Sequence, residues 1–283
     1  MPFATIDGIR TRYEAEGAGP PLLMFSPGGF DATIEKWSNL GIYAKTRPLD
    51  YLRENFTCIM FDRRECGQSG GRIERVRWRD FALQGKALLD HLGIARCHLM
   101  GGCMGVSPAL QFATLFPQSA ISMVLYWPVG GPRYRISSQQ RFAEHLAFVS
   151  EKGMEDVCRL VRETGKTFGA DPRGGPWAST IKAYPDFAEA FAGFDLDAYK
   201  LICAGMARGL VDRDSAPGAE PEDLLRCALP ALIVPGSDTS HATSAARYLG
   251  ECLPRSIYWD RASEAQTRDL TREILLQFLR DAA

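Results

Sequence analysis

The chain has 283 residues, of which 46% are hydrophobic and 24% are charged, and its formal net charge is −1. This length predicts one large α/β domain with an insertion rather than several independent domains. The balanced charge offers no basic stripe for nucleic acid, and no apolar run is long enough to span a membrane. We therefore expect a small-molecule substrate rather than either of those partners.

The eight cysteines are scattered, with no C-x-x-C pair and no metal-ligand spacing. Several of them lie in apolar runs, as buried free thiols do, and this favours a reducing compartment. The first residues also lack the apolar stretch of a signal peptide. We expect a cytoplasmic protein that uses no metal or other cofactor, and a homodimer remains open as its assembly.

The N-terminal third alternates strand and helix patterns. Residues 1–15 predict two short antiparallel strands around the turn at Asp7 and Gly8. The apolar run 21–25 predicts a strand that is buried on both faces. It ends in a glycine-rich loop with the sequence SPGGF.

A second buried strand is predicted at 56–61. It leads into the segment DRRECGQSG, in which Asp62 and Arg64 are suited to brace a loop through charge-assisted hydrogen bonds. Apolar residues at helical spacing then predict a helix over 78–92.

The most informative segment runs from Ala95 to Leu110 and reads ARCHLMGGCMGVSPAL. An apolar run is followed by a glycine-flanked turn and a helix of small residues, with Cys103 at the apex. This is the G-x-nucleophile-x-G spacing of a nucleophile elbow. The turn strains the backbone of its central residue, and the dipole of the following helix favours a thiolate there. A structural cysteine in an ordinary strand-to-helix turn is the alternative.

The C-terminal half contains a long helical insertion. Residues 132–225 have no convincing strand pattern and predict several amphipathic helices. Strands are predicted on both sides of this insertion, at 121–127, 232–234 and 256–259. The loop after the second of these strands reads PGSDTSH, and a final helix is predicted over 265–279.

These features together resemble the α/β-hydrolase family over nearly the whole chain. The segment DRRECGQS is similar to the family's D-x-R-G-x-G-x-S, and Pro27 stands where the family often has the histidine of a His-Gly loop. The resemblance implies an α/β fold with a mostly parallel eight-stranded sheet flanked by helices. It also implies a core made of residues 1–131 and 226–283 and a helical cap made of residues 132–225.

The resemblance implies specific site residues. Cys103 matches the nucleophile, and Asp238 matches the acid that orients the base. The backbone N–H groups of Met104 and of Gly29 or Phe30 match the donors to the oxyanion. We also expect three residues at the ends of strands to line the substrate pocket, namely Gly28, Tyr126 and Trp127.

The catalytic histidine departs from the family pattern. The family places it after the last strand, but the segment 259–266 contains no histidine. Of the four histidines in the chain, His241 is the best candidate because it follows Asp238 by three residues in a loop that should border the site. Asp260 and Glu264 are alternative bases. A thiol needs less help from a base than a serine hydroxyl does, because it ionises more readily.

Three functions remain open from the sequence. The first is a hydrolase that attacks an ester, lactone or thioester through an acyl-enzyme. The second is carbon–carbon cleavage or lyase chemistry in the same pocket, and the third is a binding protein with a degenerate triad. Rapid labelling of Cys103 by a thiol probe would favour the first function, and an inert Cys103 would favour the third.

Overall fold

A computed structural model describes residues 2–282. It contains eight β-strands: β1 (Phe3–Ile6), β2 (Ile9–Glu16), β3 (Pro21–Phe25), β4 (Thr57–Phe61), β5 (Cys97–Gly102), β6 (Ala120–Tyr126), β7 (Ala231–Val234) and β8 (Ser256–Tyr258). They form one sheet in the order β1-β2-β4-β3-β5-β6-β7-β8. Only β2 runs antiparallel to its neighbours. The mostly parallel eight-stranded sheet predicted from the sequence is therefore confirmed.

The helices connect the strands and cover the sheet. Within residues 2–282 they are α1 (Lys36–Asn39), α2 (Gly41–Thr46), α3 (Pro48–Leu52), α4 (Trp78–His91), α5 (Val106–Leu115), α6 (Pro132–Lys152), α7 (Met154–Thr164), α8 (Ala178–Ala183), α9 (Pro185–Ala192), α10 (Leu196–Leu210), α11 (Pro221–Leu225), α12 (Thr243–Cys252) and α13 (Arg268–Asp281).

The central strands are apolar at consecutive positions because both faces of the sheet are covered. In β3, Leu23 and Phe25 pack with the core under α4, α5 and α12, whereas Leu22 and Met24 pack with the core under α1–α3 and α13. At the edge of the sheet, the short strand β8 leaves Ile257 exposed. The sheet is thus the rigid layer from which the loops at its carboxyl edge project.

Two local details explain element boundaries. The β1–β2 turn consists of Asp7 at φ 48° and Gly8 at φ 70°, a left-handed pair suited to a tight hairpin. The last helix begins at Arg268, later than predicted, because the Thr267 hydroxyl accepts a hydrogen bond from the N–H of Leu270 and caps the helix there.

Residues 132–225 contain helices α6–α11 and no strand. These helices pack around large buried side chains such as Trp177 and Phe191, in an apolar core that continues into the rest of the chain through Trp78 and Met104. His145 belongs to this core: its Nε2 lies 2.6 Å from the Tyr199 hydroxyl and its Nδ1 lies 2.9 Å from the Arg173 carbonyl oxygen. The inserted helices also contact the core, since the Trp177 indole donates to the Arg72 carbonyl at 2.8 Å.

Among residues 2–282, every helix is too short or too polar to cross a membrane.

Candidate active site

Cys103 lies in the sharp turn between β5 and α5. Its φ is +53°, a left-handed backbone conformation that is strained for a residue with a side chain. The flanking glycines make the turn possible: a Cβ atom on Gly101 would lie 2.5 Å from the Gly105 carbonyl oxygen, and one on Gly105 would lie 2.1 Å from the Phe25 carbonyl oxygen. Gly101 and Gly105 thus allow the turn to project the Cys103 thiol from the carboxyl edge of the sheet.

Asp238 and His241 form a closed hydrogen-bonded loop after β7. The Asp238 Oδ1 atom accepts backbone N–H groups from Ser240 at 2.8 Å and from His241 at 2.9 Å. The His241 Nδ1 atom lies 2.8 Å from one oxygen of the same carboxylate and 2.9 Å from the other. This geometry fixes Nδ1 as the donor and leaves Nε2 as the free ring nitrogen.

Neighbouring residues hold the His241 ring in place. The Trp127 ring packs against it with a centroid separation of 5.3 Å. Gly236 leaves room for it, since a Cβ atom there would lie 2.5 Å from the His241 Cβ. Gly130 pairs with His241 in an isolated parallel bridge that continues the sheet beyond β6. Within residues 2–282 no hydrogen bond of normal geometry ends on the buried Nε2.

Cys103 and His241 shift each other's ionisation. Burial raises the pKa of the Cys103 thiol, but the nearby positive charge of His241 lowers it, and the net pKa lies below that of an ordinary thiol. Backbone hydrogen bonds from Gly28 and Met104 act in the same direction. Burial alone would lower the pKa of His241, but the Cys103 thiolate and the Asp238 carboxylate raise it to about 10. Both shifts favour transfer of the thiol proton to the imidazole, which gives a thiolate–imidazolium pair.

The other groups fit this charge arrangement. The hydrogen bond from His241 lowers the pKa of Asp238 to about 2, so this carboxylate stays ionised. By contrast, burial raises the pKa of Cys58 and Cys97 to about 12 and that of Cys66 to about 11. Of these four thiols, Cys103 alone has a lowered pKa, which is the direction that a nucleophilic thiolate needs.

A cavity of about 350 Å³ surrounds these groups. The core contributes Cys103, Met104, Trp127 and the loop 28–30, and the inserted helices contribute several aromatic residues. The aromatic residues of the insertion that line it are Tyr134, Phe142 and Phe168. An aromatic, mostly apolar cavity of this size fits a small organic acyl group.

The predicted site residues are mostly brought together. Gly28, Gly29 and Phe30 line the cavity with Cys103 and Met104, and Trp127, Asp238 and His241 line it from the other side.

Tyr126 is the exception and needs a correction. Its side chain is fully buried between the sheet and α2, where its hydroxyl lies 2.9 Å from the Thr46 hydroxyl, and it does not line the cavity. Tyr126 is the last residue of β6, whereas Trp127 leaves the strand at φ +55°, so the two side chains point to different places.

The two carboxylates considered as alternative bases are not in the cavity. Asp260 and Glu264 are both exposed, and neither lines the cavity that holds Cys103. Gln266 is the fully buried polar residue of that segment. Its Oε1 accepts the Trp127 indole N–H at 2.8 Å, and its Nε2 donates to the Pro235 carbonyl at 2.7 Å. Where the family pattern has a histidine, this chain thus has a buried amide that braces Trp127.

Tyr43 also supports the elbow and carried no signal in the sequence. It lies on α2, and its buried hydroxyl donates to the Tyr126 carbonyl at 2.9 Å. Gly102 makes room for it, because a Cβ atom there would lie 3.0 Å from the Tyr43 hydroxyl oxygen. In the sequence, only the second glycine of GGCMG, Gly102, indicates that another side chain packs closely against the turn.

Comparison with known proteins agrees with this architecture. A family model for the α/β hydrolase fold matches residues 21–135. The chain is 32% identical over 183 residues to the dihydrolipoyllysine-residue acetyltransferase component of the acetoin cleaving system of Cupriavidus necator, a match that covers 58% of this chain and 46% of that protein. It is also 32% identical over 152 residues to 2-hydroxy-6-oxo-6-phenylhexa-2,4-dienoate hydrolase of Comamonas testosteroni, over 53% of this chain and 48% of that protein. The chain thus spans about half the length of the curated relatives it matches.

A solved structure covers the whole fold. The enol-lactonase from Burkholderia xenovorans LB400 superposes on this chain with a TM-score of 0.62 at 17% identity. The superposition covers 99% of this chain and 100% of the enol-lactonase chain. The family match over residues 21–135, the eight-stranded topology and this superposition lead to one conclusion: this chain has the α/β-hydrolase fold.

Proposed function

We propose that this enzyme with the α/β-hydrolase fold is a hydrolase with Cys103 as its nucleophile, His241 as its general base and acid, and Asp238 as the residue that orients His241. The observation that carries the proposal is the Asp238–His241 pair, joined at 2.8 Å and 2.9 Å, in the same cavity as a strained, thiolate-favouring Cys103.

The proposed reaction has two halves. In the first, the Cys103 thiolate adds to a carbonyl carbon, and the oxyanion accepts the backbone N–H groups of Met104 and of Gly29 or Phe30. The His241 imidazolium then gives its proton to the leaving group as the carbon–oxygen or carbon–sulfur bond breaks, which leaves a thioester on Cys103. In the second half, neutral His241 takes a proton from water, and the resulting hydroxide releases the acid and regenerates the thiolate.

Asp238 and Gln266 account for the unusual position of the histidine. A base needs one ring nitrogen held and the other free, and Asp238 meets this need from within the same turn. The segment after the last strand then does not need to supply the catalytic histidine. In that segment Gln266 supports Trp127, against which His241 packs.

We further propose that residues 132–225 act as a cap that selects the substrate. Tyr134, Phe142 and Phe168 of this segment line the cavity opposite Cys103. They favour a small ester, lactone or thioester with an apolar or aromatic acyl part. A superposable structure named as an enol-lactonase supports lactones as members of the first test panel.

The proposal is tested with a panel of p-nitrophenyl esters, small lactones and acyl thioesters. We expect Cys103→Ala to abolish turnover of every substrate that the native protein hydrolyses. Cys103→Ser should be strongly weakened, because a hydroxyl depends far more on its base than a thiol does. Full activity in Cys103→Ala would refute Cys103 as the nucleophile.

Carbon–carbon cleavage is the second candidate. It is favoured by the 32% identity to a relative named as a hydrolase of 2-hydroxy-6-oxo-6-phenylhexa-2,4-dienoate. That dienoate belongs in the same panel. Turnover of it in Cys103→Ala, with loss in His241→Ala, would favour direct attack by water over an acyl-enzyme.

The compartment follows from the same chemistry. The eight cysteines are unpaired thiols, and a thiolate nucleophile works only while it is reduced. We therefore propose that the protein acts in the reducing cytoplasm.

A further inference from the structure

Arg63 is a buried cation without a counter-ion. It follows β4, its exposed fraction is 3%, and no carboxylate of residues 2–282 forms an ion pair with it. The neighbouring Arg64 is also buried, but it pairs with Glu65 at 2.9 Å and with Glu74 at 2.5 Å. Burial of a guanidinium without an acidic partner costs folding free energy, so the few contacts of Arg63 indicate why this cost is tolerated.

The Arg63 side chain contacts the loop 28–30 of the site and the ring of Phe81 on α4. Its Nη2 donates to the Gly29 carbonyl oxygen. Its guanidinium lies 4.2 Å from the centroid of the Phe81 ring and 6.0 Å from that of Phe30. The Nε and Nη1 atoms are buried, and no hydrogen-bond partner for them exists among the described residues. Gly29 is therefore the polar group that Arg63 holds.

The Gly29 carbonyl and the Phe30 N–H belong to the same planar peptide group, so they point in opposite directions. Gly29 has a φ of +62°, a conformation that a glycine adopts freely and could leave freely. A hydrogen bond from Arg63 to the carbonyl fixes this peptide plane from behind. The Phe30 N–H then faces the opposite side, where Phe30 lines the cavity with Cys103.

We propose that Arg63 is a positioning residue for the oxyanion, a role that rests on the proposed function above. It holds the Gly29–Phe30 peptide so that the Phe30 N–H meets the oxygen that becomes negative during attack by Cys103. Its positive charge also polarises this peptide, and the charge acts strongly because the guanidinium is shielded from water. The missing carboxylate partner then has a reason, because a counter-ion would cancel that effect.

The test compares p-nitrophenyl acetate with its thiono analogue, in which sulfur replaces the carbonyl oxygen. Sulfur is larger and a weaker acceptor, so an intact oxyanion site prefers the oxygen ester. For Arg63→Met we expect kcat on the oxygen ester to fall about tenfold or more, less than the ~10²–10³ lost with a direct donor. We expect a much smaller fall on the thiono ester, so the preference for oxygen shrinks. A loss of general folding would not change this preference.

Two measurements keep the outcome specific. Arg64→Met removes a buried arginine that is paired with carboxylates and does not contact Gly29, and it should leave the oxygen-to-sulfur preference unchanged. The alkylation rate of Cys103 by iodoacetamide should stay within about twofold in Arg63→Met, because the thiolate itself does not depend on the oxyanion loop. Should Arg63→Met not accumulate as folded protein, Arg63→Lys serves, with a smaller loss because the ammonium can still donate to Gly29.

An unchanged preference in folded Arg63→Met, or the same change in Arg64→Met, would overturn the role of Arg63. Failure of the wider proposal is distinguishable, because it would appear as retained activity in Cys103→Ala.

Discussion

Replacement of His241 by alanine tests the relocated base. The substitution removes the only ring in residues 2–282 that lies in the cavity beside Cys103 and is hydrogen-bonded to a carboxylate. Two effects should add. The proton donor to the leaving group disappears, and the positive charge that lowers the pKa of the Cys103 thiol disappears with it.

The magnitude follows from the role of the base. Loss of a general acid–base group typically costs about 10²–10⁴-fold in rate, so we expect kcat on p-nitrophenyl acetate to fall about 10²-fold or more at pH 7. A 10²-fold loss corresponds to about 2.7 kcal/mol of transition-state stabilisation. Because the thiol's pKa rises when the imidazolium is removed, raising the pH should recover part of the activity of the variant but not of the native protein.

The assay is steady-state release of p-nitrophenol between pH 6 and 10, accompanied by the rate of Cys103 alkylation over the same range. His91→Ala is the matched control, since His91 is an exposed histidine on α4 outside the cavity. If His241→Ala kept more than about a third of native turnover, with an unchanged alkylation profile, the base would have to lie elsewhere.

Three further outcomes are expected. Gln266→Leu leaves the Trp127 indole and the Pro235 carbonyl without these hydrogen-bond partners. We expect kcat to fall about tenfold, and thermal unfolding should show that the free energy of unfolding falls by about 1–3 kcal/mol. A native kcat in a destabilised variant would limit Gln266 to a structural role. Gly105→Ala places a Cβ atom 2.1 Å from the Phe25 carbonyl oxygen. Urea unfolding should show that the free energy of unfolding falls by about 2–3 kcal/mol or more. Near-native stability would mean that the elbow can relax. Burial lowers the pKa of His145 to about 4. The unfolded chain therefore takes up a proton at a higher pH than the folded protein does, and the free energy of unfolding should fall by about 3 kcal/mol as the pH falls from 6.5 towards 4. Unfolding curves of His145→Asn should be less stable at pH 7 but change less over this range, and an equal slope would exclude His145 as the cause.

The sheet and the elbow could be predicted because their signals are local. Consecutive apolar residues at 21–25 indicate a strand covered on both faces, and the helices of the two faces do cover it. Gly101 and Gly105 flank Cys103 for a steric reason that acts within a few residues and at one neighbouring strand. Such constraints leave a direct mark on the sequence.

The supporting residues could not be predicted because they depend on tertiary packing. Nothing near Gln266 or Arg63 in the sequence indicates that one braces Trp127 and the other holds the Gly29 carbonyl. The sequence predicts Tyr126 at the pocket because it ends a strand there, but the backbone turn at Trp127 decides which of the two side chains faces the cavity.

The central claim is that Cys103 becomes acylated during turnover. The native protein is mixed with p-nitrophenyl acetate, quenched in acid within the first turnover, digested and analysed by peptide mass spectrometry, with Cys103→Ala as the parallel control. The account predicts one acetyl group on the peptide that carries Cys103, present in the native protein and enriched in His241→Ala, where release by water is slowed. Rapid turnover with no acetyl group on Cys103, or with the acetyl group on another of the eight cysteines, would contradict it.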